Sequence, residues 1–277
     1  MGMDYEQEQT VKQKFGFLPT SVWNVTKTNF WKERIMDTGD PQKTKRSGEA
    51  KYLPNLKYSE FNPNVAERIV KYWSKEGDLI IDPFGGRATR AIVSTEMGRD
   101  YEGYEIAPLT YKLTLSRLKN RDDNFPTDIF SKDVRGKYTL YLDDGCLMKH
   151  TPNGVADLVM TCPPYYDLEK YEEVENQLSN MNTYEDFLSK ISECAKNIQR
   201  VLKPNKFCAW VCGDWRKNGY ILFHSDSIAC FKNAGMTLWD IIILENNSPF
   251  AAFQVGKCAK QQYTSKKHEY LLIFKKE

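Results

Sequence analysis

The stretch DLIIDPFGGRA, residues 78–88, decides the fold of this 277-residue chain. Residues 78–81 suit a short apolar strand, and a turn with two adjacent glycines, Gly85 and Gly86, comes shortly after them. An apolar helical repeat then runs from residue 88 to residue 97. Glycine lets the backbone come close to a ligand, and a strand, a glycine turn and a helix begin the nucleotide-binding half of a doubly wound sheet. The sequence therefore predicts an α/β fold.

The same alternation continues to the end of the chain. Further strands are predicted at 101–105, 138–142, 157–161, 207–212, 237–244 and 269–274, and helices at 64–77, 108–120, 183–202 and 224–233. No helix is predicted between the last two strands, so they should pair antiparallel. We therefore expect a Rossmann-like sheet of seven strands, parallel except for the last.

The chain divides into an extension and one domain. Residues 1–60 are polar with scattered aromatics, and we expect an irregular extension that packs on the domain formed by 61–277. Two segments, 166–182 and 245–267, interrupt the domain as loop insertions. A basic stretch at 43–46 is read as a solvated turn, with phosphate contact as the alternative.

Composition restricts the class of protein. Apolar residues make up 41% of the chain, enough for a sizeable core. No continuous apolar stretch approaches the length that a membrane-spanning helix needs. Seven cysteines without a C-x-x-C pair and only three histidines predict neither a disulfide framework nor a metal site. The formal net charge is only +2, so any nucleic-acid surface must be local. We expect a cytoplasmic protein without a membrane partner.

Acidic residues follow the second and third strands of the domain. Glu105 stands about twenty residues beyond the glycines, where a carboxylate suits the two hydroxyls of a ribose. Asp144 follows the next strand, where it could hold the amino group of an adenine or cap a turn. Together with the glycine turn, these residues indicate a nucleotide-like ligand.

The fourth strand ends in Thr161-Cys162-Pro163-Pro164-Tyr165. Neither proline can donate to a sheet, so the chain must leave the sheet there in a stiff corner. The corner presents the Cys162 side chain, the Pro163 carbonyl and the Tyr165 ring, and a flat heterocycle with an amino group could stack and donate hydrogen bonds there. An ordinary turn at the end of a strand is the alternative.

Taken together, these motifs resemble those of the DNA methyltransferases that act on amino groups, N6 of adenine or N4 of cytosine. The resemblance spans about residues 52–277 and is closest to small phage-type methylases. It rests on the glycine turn, Glu105, Asp144, the proline corner, 202–204 before a strand, and 267–275. It implies that S-adenosylmethionine binds to Asp82, Phe84, Gly85, Gly86, Glu105 and Asp144. It also implies that Cys162, Pro163, Pro164 and Tyr165 hold the target base.

The chain departs from that family at two places. Arg87-Ala88 replaces the usual second glycine, and Cys162 replaces the usual Asp, Asn or Ser. The small side chain of Cys162 favours cytosine, but adenine stays open as the target. An RNA guanine-N2 or protein amide methyltransferase and an inactive DNA-binding relative are the alternative functions.

Duplex DNA with a flipped base is the partner that the resemblance implies, because the amino group lies inside the helix. Tyr166 belongs to the loop that we expect to close on the base. Phosphate contacts are predicted for Lys257, Lys260, Lys266 and Lys267, a local cluster in a nearly neutral chain.

Overall fold

The computed structural model describes residues 5–24, 31, 35, 61–124, 135–167, 172–217, 219–245 and 249–277, and for residues 5–8 and 249–254 it describes the backbone alone. The basic stretch 43–46 and residues 168–171 of the loop after Tyr166 lie outside these ranges. The described ranges include every helix and strand that the sequence predicts in the domain.

Helices and strands alternate along the domain as expected. The helices are α1 (Tyr5–Phe15), α2 (Pro63–Trp73), α3 (Thr89–Glu96), α4 (Pro108–Asn124), α5 (Tyr184–Val201), α6 (Phe223–Asn233) and α7 (Pro249–Lys260). The strands are β1 (Val22–Asn24), β2 (Leu79–Asp82), β3 (Asp100–Glu105), β4 (Tyr138–Leu142), β5 (Ala156–Thr161), β6 (Leu202–Cys212), β7 (Trp215–Lys217), β8 (Gly219–Ile221), β9 (Met236–Glu245) and β10 (His268–Lys276).

The main sheet has the order β1-β9-β10-β6-β5-β2-β3-β4. Strand β10 pairs antiparallel with both β6 and β9, and the other pairings are parallel. The antiparallel last strand is confirmed. The expectation of seven strands is wrong by one, because the extension contributes β1, which pairs with β9 from Val22↔Ile243 onward. Trp23 is buried there, so burial of its large ring accounts for a strand that propensity alone does not reveal.

Three segments are more regular than the sequence suggested. The extension contains a full helix, α1, and is therefore not irregular throughout. The 245–267 segment contains α7. A short antiparallel hairpin of β7 and β8 follows β6, outside the main sheet. Helix α1 is mostly polar, and the two hairpin strands have only three residues each, so neither shows a clear apolar pattern in the sequence.

Helix starts follow the local rules. Asn62 caps α2, where its side chain accepts a hydrogen bond from the Asn64 N–H at 3.0 Å, and Pro63 follows as the first helical residue. Thr183 caps α5 by accepting a hydrogen bond from the Asp186 N–H at 3.0 Å.

The sheet lies between two layers of helices. Helices α5 and α6 cover one face through residues such as Phe187 and Phe231, whereas α2, α3 and α4 cover the other through residues such as Ile69 and Ile92. Because β2 to β6 are parallel, the residues that follow them meet at one edge of the sheet. No helix in the described ranges is long and apolar enough to cross a membrane.

Candidate active site

Asp82 is the last residue of β2, and its carboxylate is completely buried. Its Oδ1 atom accepts hydrogen bonds from the Phe84 N–H at 3.0 Å and the Thr161 hydroxyl at 2.6 Å. Its Oδ2 atom accepts from Arg90 Nε at 2.6 Å and the Tyr101 hydroxyl at 2.7 Å. An ionised carboxylate has about four acceptor positions. Donors from the protein therefore occupy the acceptor positions of the Asp82 carboxylate. These hydrogen bonds fix the conformation of the turn that follows.

The glycine turn has two residues in the left-handed region. Gly86 has φ +53°, and Ala88, the cap residue of α3, has φ +67°. A Cβ atom at Gly85 would lie 3.2 Å from the Tyr104 carbonyl oxygen, which also accepts from the Gly85 N–H at 2.7 Å. Ala88 belongs to the Arg87-Ala88 pair that replaces the usual second glycine, and it adopts the backbone conformation that glycine favours.

Glu105 ends β3 directly beside this turn. Its two carboxylate oxygens accept from the Gly86 N–H at 3.2 Å and the Ala107 N–H at 2.9 Å. Burial raises the pKa of Glu105 to about 7, the two backbone N–H groups oppose this shift, and the nearby carboxylate of Glu172 adds to it. Two of its acceptor positions remain for other donors.

Glu172 is a neighbour of Glu105 that the sequence does not predict. Its carboxylate accepts from the backbone N–H groups of Leu109 at 3.1 Å and Thr110 at 3.0 Å, in the first turn of α4. A carboxylate is stabilised at a helix N-terminus. This contact attaches the 166–182 segment to the chain just after Glu105. A partner 62 residues away carries no local signal.

Asp144 follows β4 and is almost fully buried. Its Oδ1 atom accepts from the Cys146 N–H at 2.9 Å, and its Oδ2 atom lies 2.9 Å from Lys190 Nζ. A Cβ atom at Gly145 would overlap the carbonyl of Pro83, so the Asp144 loop packs directly on the glycine turn. The structure thus brings the glycine turn, Glu105 and Asp144 together at one edge of the sheet.

The proline corner leaves β5 beside them. Cys162 and Pro164 are partly exposed, whereas Pro163 is buried. The Cys162 sulfur lies 4.0 Å from the Pro163 carbonyl oxygen. All seven cysteines lie in the described part of the chain, and none forms a disulfide. The described residues contain no group of three or more His, Cys, Asp or Glu that could hold a metal ion.

Tyr165, the last residue of the proline corner, contacts residues far along the sequence. Its hydroxyl donates to Glu269 Oε1 at 2.9 Å, and its ring meets Trp215 edge-to-face with centroids 5.5 Å apart. Burial raises the pKa of Tyr165 well above its ordinary value, and the Glu269 charge adds to the shift. Burial also raises the pKa of Glu269. The ring therefore stands in a fixed orientation at the corner.

The residues predicted to meet DNA fall into two groups. Lys257, Lys260 and Lys267 are exposed. Lys266 is half-buried, and its ammonium group donates to the Asp214 carbonyl, while burial lowers the pKa of Lys266. Tyr166 is also partly buried, and its hydroxyl donates to the Asn182 carbonyl at 3.1 Å. Lys266 and Tyr166 thus contact the protein itself.

Comparison with known proteins settles the family. A family model described as DNA methylase, for the N6 and N4 enzymes, matches residues 1–115 and 156–277. The matched parts contain the glycine turn and the proline corner. The chain belongs to this DNA methylase family. Asp144 lies in the unmatched part, so its position beside the turn rests on the structure alone.

Two curated relatives of this methylase come from Bacillus amyloliquefaciens. The type II methyltransferase M.BamHI is 31% identical over 117 residues, covering 37% of this chain and 27% of that protein. The orphan methyltransferase M.BamHII is 38% identical over 60 residues, covering 22% of this chain and 23% of that protein. The matches span about a quarter of the length of each relative.

Solved structures confirm the fold. A SAM-dependent methyltransferase from Methanosarcina mazei aligns with a TM-score of 0.50 and 11% identity, covering 75% of this chain and 96% of that one. The [4+2]-cyclase SpnF aligns with a TM-score of 0.51 and 12% identity, covering 80% and 85%. A methyltransferase and a cyclase share this fold, so the function must be argued from the site.

Proposed function

We propose that this methylase transfers a methyl group from S-adenosylmethionine to the exocyclic amino group of a DNA base, N4 of cytosine or N6 of adenine. The observation that carries the proposal is the 2.6 Å hydrogen bond between the hydroxyl of Thr161 and the carboxylate of Asp82. Thr161 begins the proline corner, and Asp82 begins the glycine turn. The two motifs therefore lie side by side, as transfer between two bound molecules requires.

The cofactor would bind along the glycine turn. Gly85 and Gly86 admit a ligand close to the backbone, and the two remaining acceptor positions of Glu105 suit the ribose hydroxyls. Asp144 would face the adenine end, and Phe84 would pack on the ligand. Asp82 contributes by fixing the turn, since its own acceptor positions are filled. The cofactor supplies a methyl group on a positively charged sulfur.

The proline corner would hold the target amine. The lone pair of an exocyclic amine is conjugated with the ring, which makes the amine a poor nucleophile. Hydrogen bonds from its protons to the Pro163 carbonyl and to Cys162 would favour the reactive, pyramidal form. The base would stack on Tyr165 after flipping out of the duplex. In this scheme the thiol of Cys162 accepts a hydrogen bond and forms no covalent bond.

Lysines near the corner would meet the phosphate backbone. Lys257, Lys260 and Lys267 are exposed and suit that role, whereas Lys266 supports the corner through the Asp214 carbonyl. Neutralising the three exposed lysines should flatten the salt dependence of DNA affinity by about 0.9 unit for each phosphate that a lysine neutralises in the wild type.

The test is transfer of radiolabelled methyl from S-adenosylmethionine to DNA, RNA and protein in parallel. We expect label in DNA, and modification-sensitive sequencing of DNA from cells that express the protein should identify the base and its sequence context. Label only in RNA or protein would support the alternative substrates instead. Cofactor binding without transfer to any of the three would support an inactive relative.

Cys162→Ser separates two kinds of chemistry at the corner. We expect this variant to keep or raise activity, because a hydroxyl accepts hydrogen bonds better than a thiol. An inactive Cys162→Ser variant, together with a covalent adduct between DNA and the wild-type protein, would replace the amine mechanism with thiolate attack on a pyrimidine ring.

A further inference from the structure

The hairpin of β7 and β8 lies directly after β6, within the part of the chain that the family model matches. Its strands are antiparallel, with Arg216 opposite Tyr220. Because successive side chains of a strand point to opposite faces, Trp215 and Lys217 share one face and Arg216 lies on the other.

The first face is attached to the proline corner at two points. The Trp215 ring packs on Tyr165 with centroids 5.5 Å apart. The Lys217 ammonium group forms an ion pair with the carboxylate of Asp167, two residues beyond Tyr165. The position of the hairpin relative to the site of the target base is therefore set by direct contacts.

The second face carries an arginine between two aromatic rings. The guanidinium carbon of Arg216 lies 4.8 Å from the ring centroid of Tyr263 and 5.3 Å from that of Tyr220. Arg216 is exposed, and Tyr220 keeps 48% of its surface exposed. Stacking on aromatic rings orients the planar guanidinium. Its N–H groups point outward in the guanidinium plane and stay available to acceptors. Less conformational entropy is then lost when the arginine binds a ligand.

Charge near this stack fits a polyanion. Tyr263 follows α7, whose last turn carries the exposed Lys257 and Lys260, and Lys267 lies four residues further on. Among the described residues, no ion pair involves Arg216. The arginine is therefore free of a neutralising carboxylate in the part of the chain that is described.

We propose that Arg216 contacts DNA next to the flipped base, by donating two parallel hydrogen bonds to a pair of acceptors. This inference rests on the proposed function for its ligand. Guanine offers such a pair in O6 and N7, and a phosphate offers it in its two free oxygens. A guanine contact would make Arg216 a specificity-determining residue, whereas a phosphate contact would make it a positioning residue.

The test uses a DNA duplex that contains the sequence that the protein methylates. Its binding is measured by fluorescence anisotropy over a series of salt concentrations. Arg216→Ala should weaken binding by about 5- to 150-fold, the range for one bidentate arginine contact. Arg216→Lys keeps the charge but loses the planar pair of donors. Lys232→Ala is the matched control, because this exposed lysine lies in the last turn of α6, at the edge of the sheet opposite the site.

The two acceptors give different results. For guanine, 7-deazaguanine in the site should weaken binding by wild type but not by Arg216→Ala, because this base lacks the N7 acceptor. For phosphate, Arg216→Lys should recover most of the affinity, and Arg216→Ala should lower the salt slope by about 0.9 unit for all sequences. Tyr263→Ala should weaken binding less than Arg216→Ala and have no further effect in the double variant.

Unchanged affinity and salt slope in Arg216→Ala, with normal binding of DNA by wild type, would overturn the inference and leave the proposed function intact. Binding of DNA without methyl transfer would instead overturn the proposed function, while the comparison of Arg216 variants still decides the contact. A wild-type protein that does not bind DNA would overturn both.

Discussion

The cofactor edge, defined as residues 82–88 with Glu105 and Asp144, is built differently from the target corner, defined as residues 161–167. At the cofactor edge, buried polar groups bond to one another, and the carboxylate of Asp82 has four protein donors. At the target corner, Tyr165 depends on one hydrogen bond to Glu269 and on aromatic contacts. Substitutions at the cofactor edge should therefore affect stability and cofactor affinity, whereas those at the corner should affect turnover.

Replacing Asp82 should have the largest effect. Asp82→Ala leaves the Arg90 guanidinium buried without its carboxylate, which typically costs about 3–5 kcal/mol of unfolding free energy. Urea denaturation measures this loss. Asp143→Ala, which removes a more exposed carboxylate that pairs with Lys149 and His150, should cost no more than about 1 kcal/mol. Wild-type stability in Asp82→Ala, with loss of cofactor binding alone, would make Asp82 a direct ligand.

Removing Glu105 tests cofactor binding at the same edge. Glu105→Ala should weaken binding of S-adenosylmethionine by about 1.5–3 kcal/mol, the usual value for hydrogen bonds to a charged group. Isothermal titration calorimetry measures the difference. DNA affinity without cofactor should stay unchanged, because β2 separates β3, which ends in Glu105, from β5, which leads into the proline corner. Equal cofactor affinity in variant and wild type would refute the assignment.

Glu105 also predicts opposite pH dependences for folding and binding. Burial raises its pKa from 4.5 to about 7, so between these values the native protein holds a proton that the unfolded chain has released. The unfolding free energy of the protein without cofactor should therefore fall as pH rises through this window, and Glu105→Gln should remove that part of the decline. Cofactor affinity should rise with pH, because ribose hydroxyls donate to the ionised carboxylate. Identical pH profiles for wild type and Glu105→Gln would contradict this.

Turnover is the quantity expected to change at the target corner. Tyr165→Ala should remove stacking worth about 1–3 kcal/mol and lower the methylation rate, with cofactor affinity nearly intact. Tyr165→Phe keeps the ring but leaves the partly buried Glu269 without its donor, so we expect an intermediate rate. Single-turnover methyl transfer measures both. A loss of cofactor affinity as large as the loss of rate would remove the contrast between the two regions.

The two regions also differ in what the sequence could predict. The glycine turn, the acid after β3 and the proline corner are local patterns, and parallel pairing of β2, β3 and β5 is enough to bring them to one edge. The family match confirms the resemblance on which their roles were predicted. The individual roles of these residues stay predictions.

Long-range contacts could not be predicted. Glu269 is 104 residues from Tyr165, and Glu172 is 62 residues from Thr110, so no spacing rule connects them. The strand β1 has only three residues, too few for an alternating pattern to stand out. These features depend on tertiary packing, which a single sequence does not encode in local periodicity.

The smallest predicted effect concerns Ala88, which belongs to one of the two departures from the family pattern. Ala88 has φ +67°, a conformation that costs a residue with a Cβ atom about 1–2 kcal/mol and costs glycine little. Ala88→Gly should therefore raise the unfolding free energy by about 1 kcal/mol, because part of the relieved strain is offset by the greater flexibility of glycine in the unfolded chain. Gly86→Ala, at φ +53° in the same turn, should lower it. If Ala88→Gly instead lowers stability without improving cofactor binding, packing of the completely buried Ala88 methyl group outweighs backbone strain at this turn.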